Sequence, residues 1–80
     1  MAGSMTELQH QKPFEEFNSD RTFKAVPGTG TVDLQAETVP GTFETLESFT
    51  TFDLRIIELR NGQRYRVLLT GDAKAYLSNN

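Results

Sequence analysis

The sequence contains no cysteine among its 80 residues. This absence excludes disulfide bonds and thiolate zinc sites, so we expect a reducing, cytoplasmic setting. No apolar run approaches the roughly 20 residues that a membrane-spanning helix needs. The N-terminus also lacks the basic and apolar regions of a signal peptide. The sequence therefore predicts a soluble cytoplasmic protein with no membrane partner.

Positive charge is scarce as well, since eight lysine and arginine residues stand against eleven acids and the net charge is −3. Nonspecific binding to nucleic acid depends on neutralising phosphates, so direct nucleic-acid binding is disfavoured. The charge is unevenly distributed. Residues 1–50 hold eight acids and three bases, whereas residues 51–80 hold three acids and five bases. Any basic surface is therefore expected in the C-terminal part of the chain.

Groups that carry catalysis are few. The single histidine, His10, has no second imidazole and no thiol with which to hold a metal or complete a catalytic triad. The carboxylates lie in segments too polar to bury them, and burial is what tunes a carboxylate for acid–base chemistry. Gly28-Thr29-Gly30 resembles part of a phosphate-binding loop, but no third glycine or lysine follows at the required spacing. We predict neither an enzyme nor a cofactor or metal site.

The chain divides into two parts. Residues 1–18 are predicted to be a cloning scar, which ends before Met5, followed by a flexible N-terminal tail with too few apolar residues to be buried. Within this tail, Pro13–Phe17 is predicted to form one helical turn, because Phe14 and Phe17 lie three residues apart. Residues 19–80 are predicted to form a single small β-rich domain.

Alternating apolar residues predict strands around Thr22–Ala25 and Thr31–Gln35. Two Val-Pro-Gly-Thr segments, beginning at Val26 and Val39, predict turns with proline and glycine as the central residues. Apolar residues recur every third position between Thr42 and Phe49, which predicts a short helix. A second short helix is predicted over Ala73–Leu77, capped by the residues before it.

The strongest local pattern is a β-hairpin in which Asn61-Gly62 forms a type I′ turn between two apolar-rich segments. In that register one face would make the core. The core face would carry Phe52, Leu54, Ile56, Tyr65, Val67 and Leu69, together with Glu58 near the turn. The opposite face would expose three arginines among aliphatic side chains: Arg55, Arg64, Arg66, Ile57, Leu59 and Leu68.

The predicted fold class is mainly β, a small antiparallel sheet or open barrel of SH3-like or OB-like size with one or two short helical turns. The predicted function is a non-enzymatic, protein-binding regulator or inhibitor of a larger partner. A phage or bacterial accessory factor that acts on RNA polymerase or another nucleic-acid enzyme is one form of it. The binding residues would be the arginine face and a second segment of aromatic and acidic residues: Phe14, Glu15, Glu16 and Phe17.

Two alternatives stay open at this point. One is a small nucleic-acid-binding β-module that uses the arginine face, with Tyr65 or a nearby phenylalanine as a stacking group. The other is a structural subunit, such as one from a virion, in which edge strands pair between copies. The oligomeric state, the strand order and the identity of the partner do not follow from the sequence.

Overall fold

The computed structural model describes residues 4–15 and 19–79. Within these two ranges the chain forms strands and turns and no helix. In chain order the strands are β1 (Met5–Glu7), β2 (Phe14–Glu15), β3 (Ser19–Val26), β4 (Val32–Val39), β5 (Thr42–Phe49), β6 (Asp53–Leu59), β7 (Arg64–Leu69) and β8 (Lys74–Ser78).

The strands form two antiparallel sheets of four strands each. The first sheet has the order β1-β8-β3-β6 and the second has the order β2-β7-β4-β5. The inner faces share one hydrophobic core, in which the rings of Phe23 and Phe49 lie 5.4 Å apart between their centroids and join the sheets. The prediction of a mainly β fold built from small antiparallel sheets is confirmed. The buried hydrophobic residues are Leu8, Phe23, Ala25, Val32, Leu34, Ala36, Phe49, Leu59, Tyr65, Val67, Ala73, Ala75 and Leu77.

The predicted hairpin between β6 and β7 is wrong, because these consecutive strands belong to different sheets. β6 pairs with β3, and β7 pairs with β4 and β2. The turn between them is not type I′, since Gly62 has a φ of 80° but Asn61 does not have a positive φ. The buried Tyr65 hydroxyl accepts the Arg60 amide at 3.0 Å. This contact ties the two ends of a connection that crosses from one sheet to the other.

The segment predicted as a short helix, Thr42–Phe49, is β5. It forms a hairpin with β4 through a turn in which Gly41 has a φ of 86°, so the predicted Pro-Gly turn is confirmed there. The register shifts between Leu34 and Gln35, which leaves Leu46 as an extra residue in β5. The three apolar residues therefore share no face: Phe43 lies on the outer face of the sheet against Arg66, Leu46 is the bulged residue, and Phe49 is buried in the core.

The predicted C-terminal helix is β8, and the residues before it bind the first Pro-Gly turn. Asp72 Oδ1 accepts hydrogen bonds from the backbone amide and the hydroxyl of Thr29, at 2.9 and 3.0 Å. The turn itself lies one residue later than predicted, since the Gly30 amide donates to the Pro27 carbonyl at 2.9 Å. At Gly30 an added Cβ would overlap the Thr70 carbonyl oxygen, so a side chain there would force the two loops apart.

The described part of the predicted tail lies against both sheets. β1 pairs with β8, and the side chain of Leu8 is buried in the core. The chain then crosses to the second sheet, where the Gln11 amide donates to the Val67 carbonyl at 2.8 Å. Phe14 and Glu15 form β2 and not a helical turn, whereas Glu16 and Phe17 fall outside the described residues. The nanosecond mobility expected of this segment stays a prediction.

Asp72 makes the stability of the folded chain vary with pH in the acid range. The hydrogen bonds from Thr29 favour the ionised carboxylate, and they lower the pKa of Asp72 below its ordinary value. The ionised group therefore stabilises the folded state above the unfolded carboxyl pKa of about 3.9, and this contribution is lost as pH falls through the lowered pKa.

We expect Asp72→Asn, which keeps the shape but not the charge, to lower the free energy of unfolding at about pH 6 and to have less effect at about pH 2.5. Urea unfolding of both proteins at the two pH values measures the difference. A loss of equal size at both pH values would contradict this account of the Asp72 contact.

Candidate functional site

One face of β6 exposes three large apolar side chains. Phe52, just before the strand, is 61% exposed, Leu54 is 55% exposed and Ile56 is 70% exposed. We refer to these three residues as the β6 apolar row. The alternate residues of β6 point to the interior: Leu59 is only 1% exposed, and Ile57 packs against the core. The prediction that Phe52, Leu54 and Ile56 make the core face of this strand is therefore wrong.

β6 is also the end strand of its sheet. Its pairing with β3 covers one edge, and no strand in the ranges 4–15 and 19–79 pairs with the other edge. An exposed strand edge presents backbone donors and acceptors that can pair with another chain. The β6 apolar row therefore lies beside backbone groups that are available for strand pairing.

A cleft of about 240 Å³ opens between β6 and β5, which is the end strand of the second sheet. Apolar side chains from both strands line it, among them Leu46, Phe49 and Ile56. Ile56 borders both the cleft and the β6 apolar row, which lie on either side of the β6 edge. Residues 50–52 connect β5 to β6 and so join the two sheets.

Arg55 bridges the mouth of this cleft. Its guanidinium forms ion pairs with Asp53 at 2.7 Å and with Glu47 at 3.5 Å, and it lies 5.0 Å from the centroid of the Phe49 ring. The hydrogen bond to Asp53, together with the negative charges of both carboxylates, raises the pKa of Arg55. Arg55 is thus held between β5 and β6 by acidic and aromatic groups.

A second surface, which is polar, lies on the outer face of the sheet β2-β7-β4-β5. Arg66 donates from Nε to Oε1 of the buried Gln35 at 2.7 Å, and Gln35 Nε2 donates to the Thr45 hydroxyl at 3.1 Å. The Arg66 guanidinium lies 4.3 Å from the centroid of the Phe43 ring. This geometry orients a planar cation on an aromatic face, which suits a guanidinium that binds a carboxylate.

The structure separates the residues of the predicted arginine face. Arg64, Arg66 and Leu68 share the outer face of β7, where Arg64 pairs with Glu37 at 3.4 Å. The remaining three, Arg55, Ile57 and Leu59, lie on β6 in the other sheet and on its inward side, and Leu59 is buried in the core. The prediction that all six residues share one face is therefore wrong, because it depended on the predicted hairpin.

Phe14 and His10 make contacts within the fold. Phe14 is half-buried and stacks on Tyr65 with 5.9 Å between ring centroids, while Glu15 is exposed. His10 accepts the Leu69 amide on Nδ1 at 3.0 Å. Among the residues that the structure describes, no group of three or more histidine, cysteine or acidic side chains is arranged to hold a metal. Over the same residues, no helix is long and apolar enough to cross a membrane.

Comparisons with protein-family models, with curated proteins and with solved structures give no match.

The contact between Arg66 and Phe43 is testable by a double-mutant cycle. We expect Arg66→Gln and Phe43→Leu to be coupled by about 0.5–1 kcal/mol in the free energy of unfolding, because either change removes the same cation–π contact. A matched cycle of Arg64→Gln with Phe43→Leu is the control, since Arg64 pairs with Glu37. Coupling of the same size in both cycles would contradict a specific contact between Arg66 and Phe43.

Proposed function

We propose that this chain is a non-enzymatic protein-binding module and that its partner covers the β6 apolar row. The exposure of Phe52, Leu54 and Ile56 on one strand face is the observation that carries the proposal. Contiguous apolar surface of this kind is typical of interaction sites in small proteins. Full burial of one such side chain is worth about 1.5–3 kcal/mol, so covering the exposed parts of all three favours a complex by several kcal/mol.

A protein partner fits this surface better than nucleic acid does. The row is apolar, and the nearest cation on β6, Arg55, is engaged by two carboxylates. The Tyr65 side chain, suggested from the sequence as a stacking group for bases, is buried and its hydroxyl is bonded to the backbone. The net charge of −3 opposes binding to phosphates in general. Nucleic-acid binding is therefore the less supported alternative.

The chemistry of the β6 apolar row indicates what kind of partner it can bind. A suitable partner offers an apolar strip and backbone groups that can pair with the open edge of β6. We propose further that the partner is a larger protein, such as RNA polymerase or another nucleic-acid enzyme, which the chain regulates or inhibits. Arg66, held over Phe43, offers a second contact to a partner carboxylate.

We expect Ile56→Lys to abolish partner binding without unfolding the chain, because Ile56 is 70% exposed and the change places a charge in the apolar contact. The immobilised protein and its variant are each incubated with lysate of the source organism, and the retained proteins are identified by mass spectrometry. A protein retained in stoichiometric amount by the wild type and lost with Ile56→Lys is the expected result.

Val39→Lys is the matched control, because Val39 is 57% exposed and lies beside the turn between β4 and β5, away from the β6 apolar row. This variant should retain the same proteins as the wild type. If Ile56→Lys and Val39→Lys retain the same set, the β6 apolar row is not the binding surface.

A further inference from the structure

The start of β6 is self-complementary in sequence. From Phe52 to Ile56 the chain alternates an apolar residue, an acid, an apolar residue, a base and an apolar residue. The three apolar side chains form the exposed face, and Asp53 and Arg55 share the other face, with their charged groups 2.7 Å apart. A segment with this order presents the same pattern of apolar and opposite charges to an antiparallel copy of itself.

We propose that two copies of this chain associate by antiparallel pairing of their β6 strands, centred on Leu54. In this register Leu54 faces Leu54 of the second copy, and Phe52 faces Ile56. Asp53 of each copy faces Arg55 of the other. The inference rests on the proposed function, since it uses the β6 apolar row: pairing at the edge brings the rows of two copies side by side on one face of the joined sheet, and a further protein partner covers both rows.

Symmetry and charge select this register. A two-fold axis perpendicular to the sheet keeps each side chain on the same face in both copies. One residue of β6 in the first copy must then lie opposite the same residue of the second copy. Centring the pair on Asp53, Arg55 or Glu58 would set two like charges directly opposite each other, which is destabilising. Centring it on Ile56 or Ile57 would place Glu58 opposite an apolar residue of the row. Of the centres from Asp53 to Glu58, Leu54 alone joins apolar to apolar and acid to base throughout residues 52–56.

Pairing in this way adds backbone hydrogen bonds at the edge of β6 and ion pairs between the two copies. Residues 52–56 at the free edge of β6 gain backbone hydrogen bonds, and the two first sheets join into one sheet of eight strands. The four charged groups at the centre then alternate in sign, because each Arg55 lies between Asp53 of its own chain and Asp53 of the second copy. The Asp53–Arg55 ion pair already present in each chain therefore pre-orients the groups that meet across the interface.

The test exchanges charges across the proposed interface and follows association by sedimentation velocity over a series of protein concentrations. Asp53→Arg alone sets arginine against arginine, and Arg55→Asp alone sets aspartate against aspartate. We expect each change to weaken self-association on the order of tenfold or more, since two cross-strand pairs per dimer change from attraction to repulsion. An equimolar mixture of the two variants restores every acid–base pair and is expected to form a heterodimer.

The double variant Asp53→Arg/Arg55→Asp also restores the pairs within one sequence and is expected to self-associate like the wild type. Far-UV circular dichroism establishes that each variant is folded. Should a charge variant unfold, Leu54→Lys replaces it, because Leu54 is 55% exposed and the change sets two lysines opposite each other at the centre of the pair. Val39→Lys is again the matched control and should self-associate normally.

A wild type that sediments as a monomer up to millimolar concentration would overturn this inference. So would a mixture of folded single variants that stays monomeric, or single variants that associate as the wild type does. A monomeric wild type that still loses a retained lysate protein through Ile56→Lys would overturn the pairing of two copies and leave the proposed protein-binding function in place.

Discussion

The burial of Leu59 and Ile57 between the two sheets determines which side of β6 faces the surroundings. Side chains alternate along a strand, so once these two residues point inward, Leu54 and Ile56 must point outward. Because the core is small, the stability of the fold depends on which residues of β6 point inward. The core contains four alanines, and Leu59 is one of its largest fully buried side chains, so the fold gains from burying Leu59. The exposed apolar row is thus a consequence of core formation on a strand that is apolar on both faces.

The same strand combines three properties that favour association with another chain. It lies at the end of its sheet, it exposes a continuous apolar face, and it borders the cleft between the two sheets. Natural edge strands usually carry charges or prolines that prevent pairing with other chains. β6 carries Asp53 and Arg55 on its inward side, where Arg55 also contacts the Phe49 ring of β5. Such inward-pointing charges discourage pairing with other chains, and in the proposed dimer only the register centred on Leu54 sets each of them opposite a charge of the other sign.

The fold class follows from the sequence because alternation and Pro-Gly turns are local signals. The pairing of strands does not, and the segment 52–60 shows why. The even positions of this segment are the more apolar and so favour the wrong face for the core, and Asn61-Gly62 favours a hairpin on local grounds. The deciding interactions are the pairing of β6 with β3, a distant part of the chain, and the packing of Leu59 and Ile57 in the core between the sheets. The regular spacing of Phe43, Leu46 and Phe49 was misleading too, because the bulge at Leu46 puts Phe43 and Phe49 on opposite faces of β5.

The central claim is that β6 pairs with β3 and turns its apolar row outward. Inter-strand backbone nuclear Overhauser effects on isotopically labelled protein measure this pairing directly. The account predicts contacts that link Ile56 to Thr22 and Leu54 to Lys24, which are partners across β3 and β6. Contacts that instead link Ile56 to Val67, as a hairpin closed at Asn61-Gly62 requires, would place the row in the core and contradict the account.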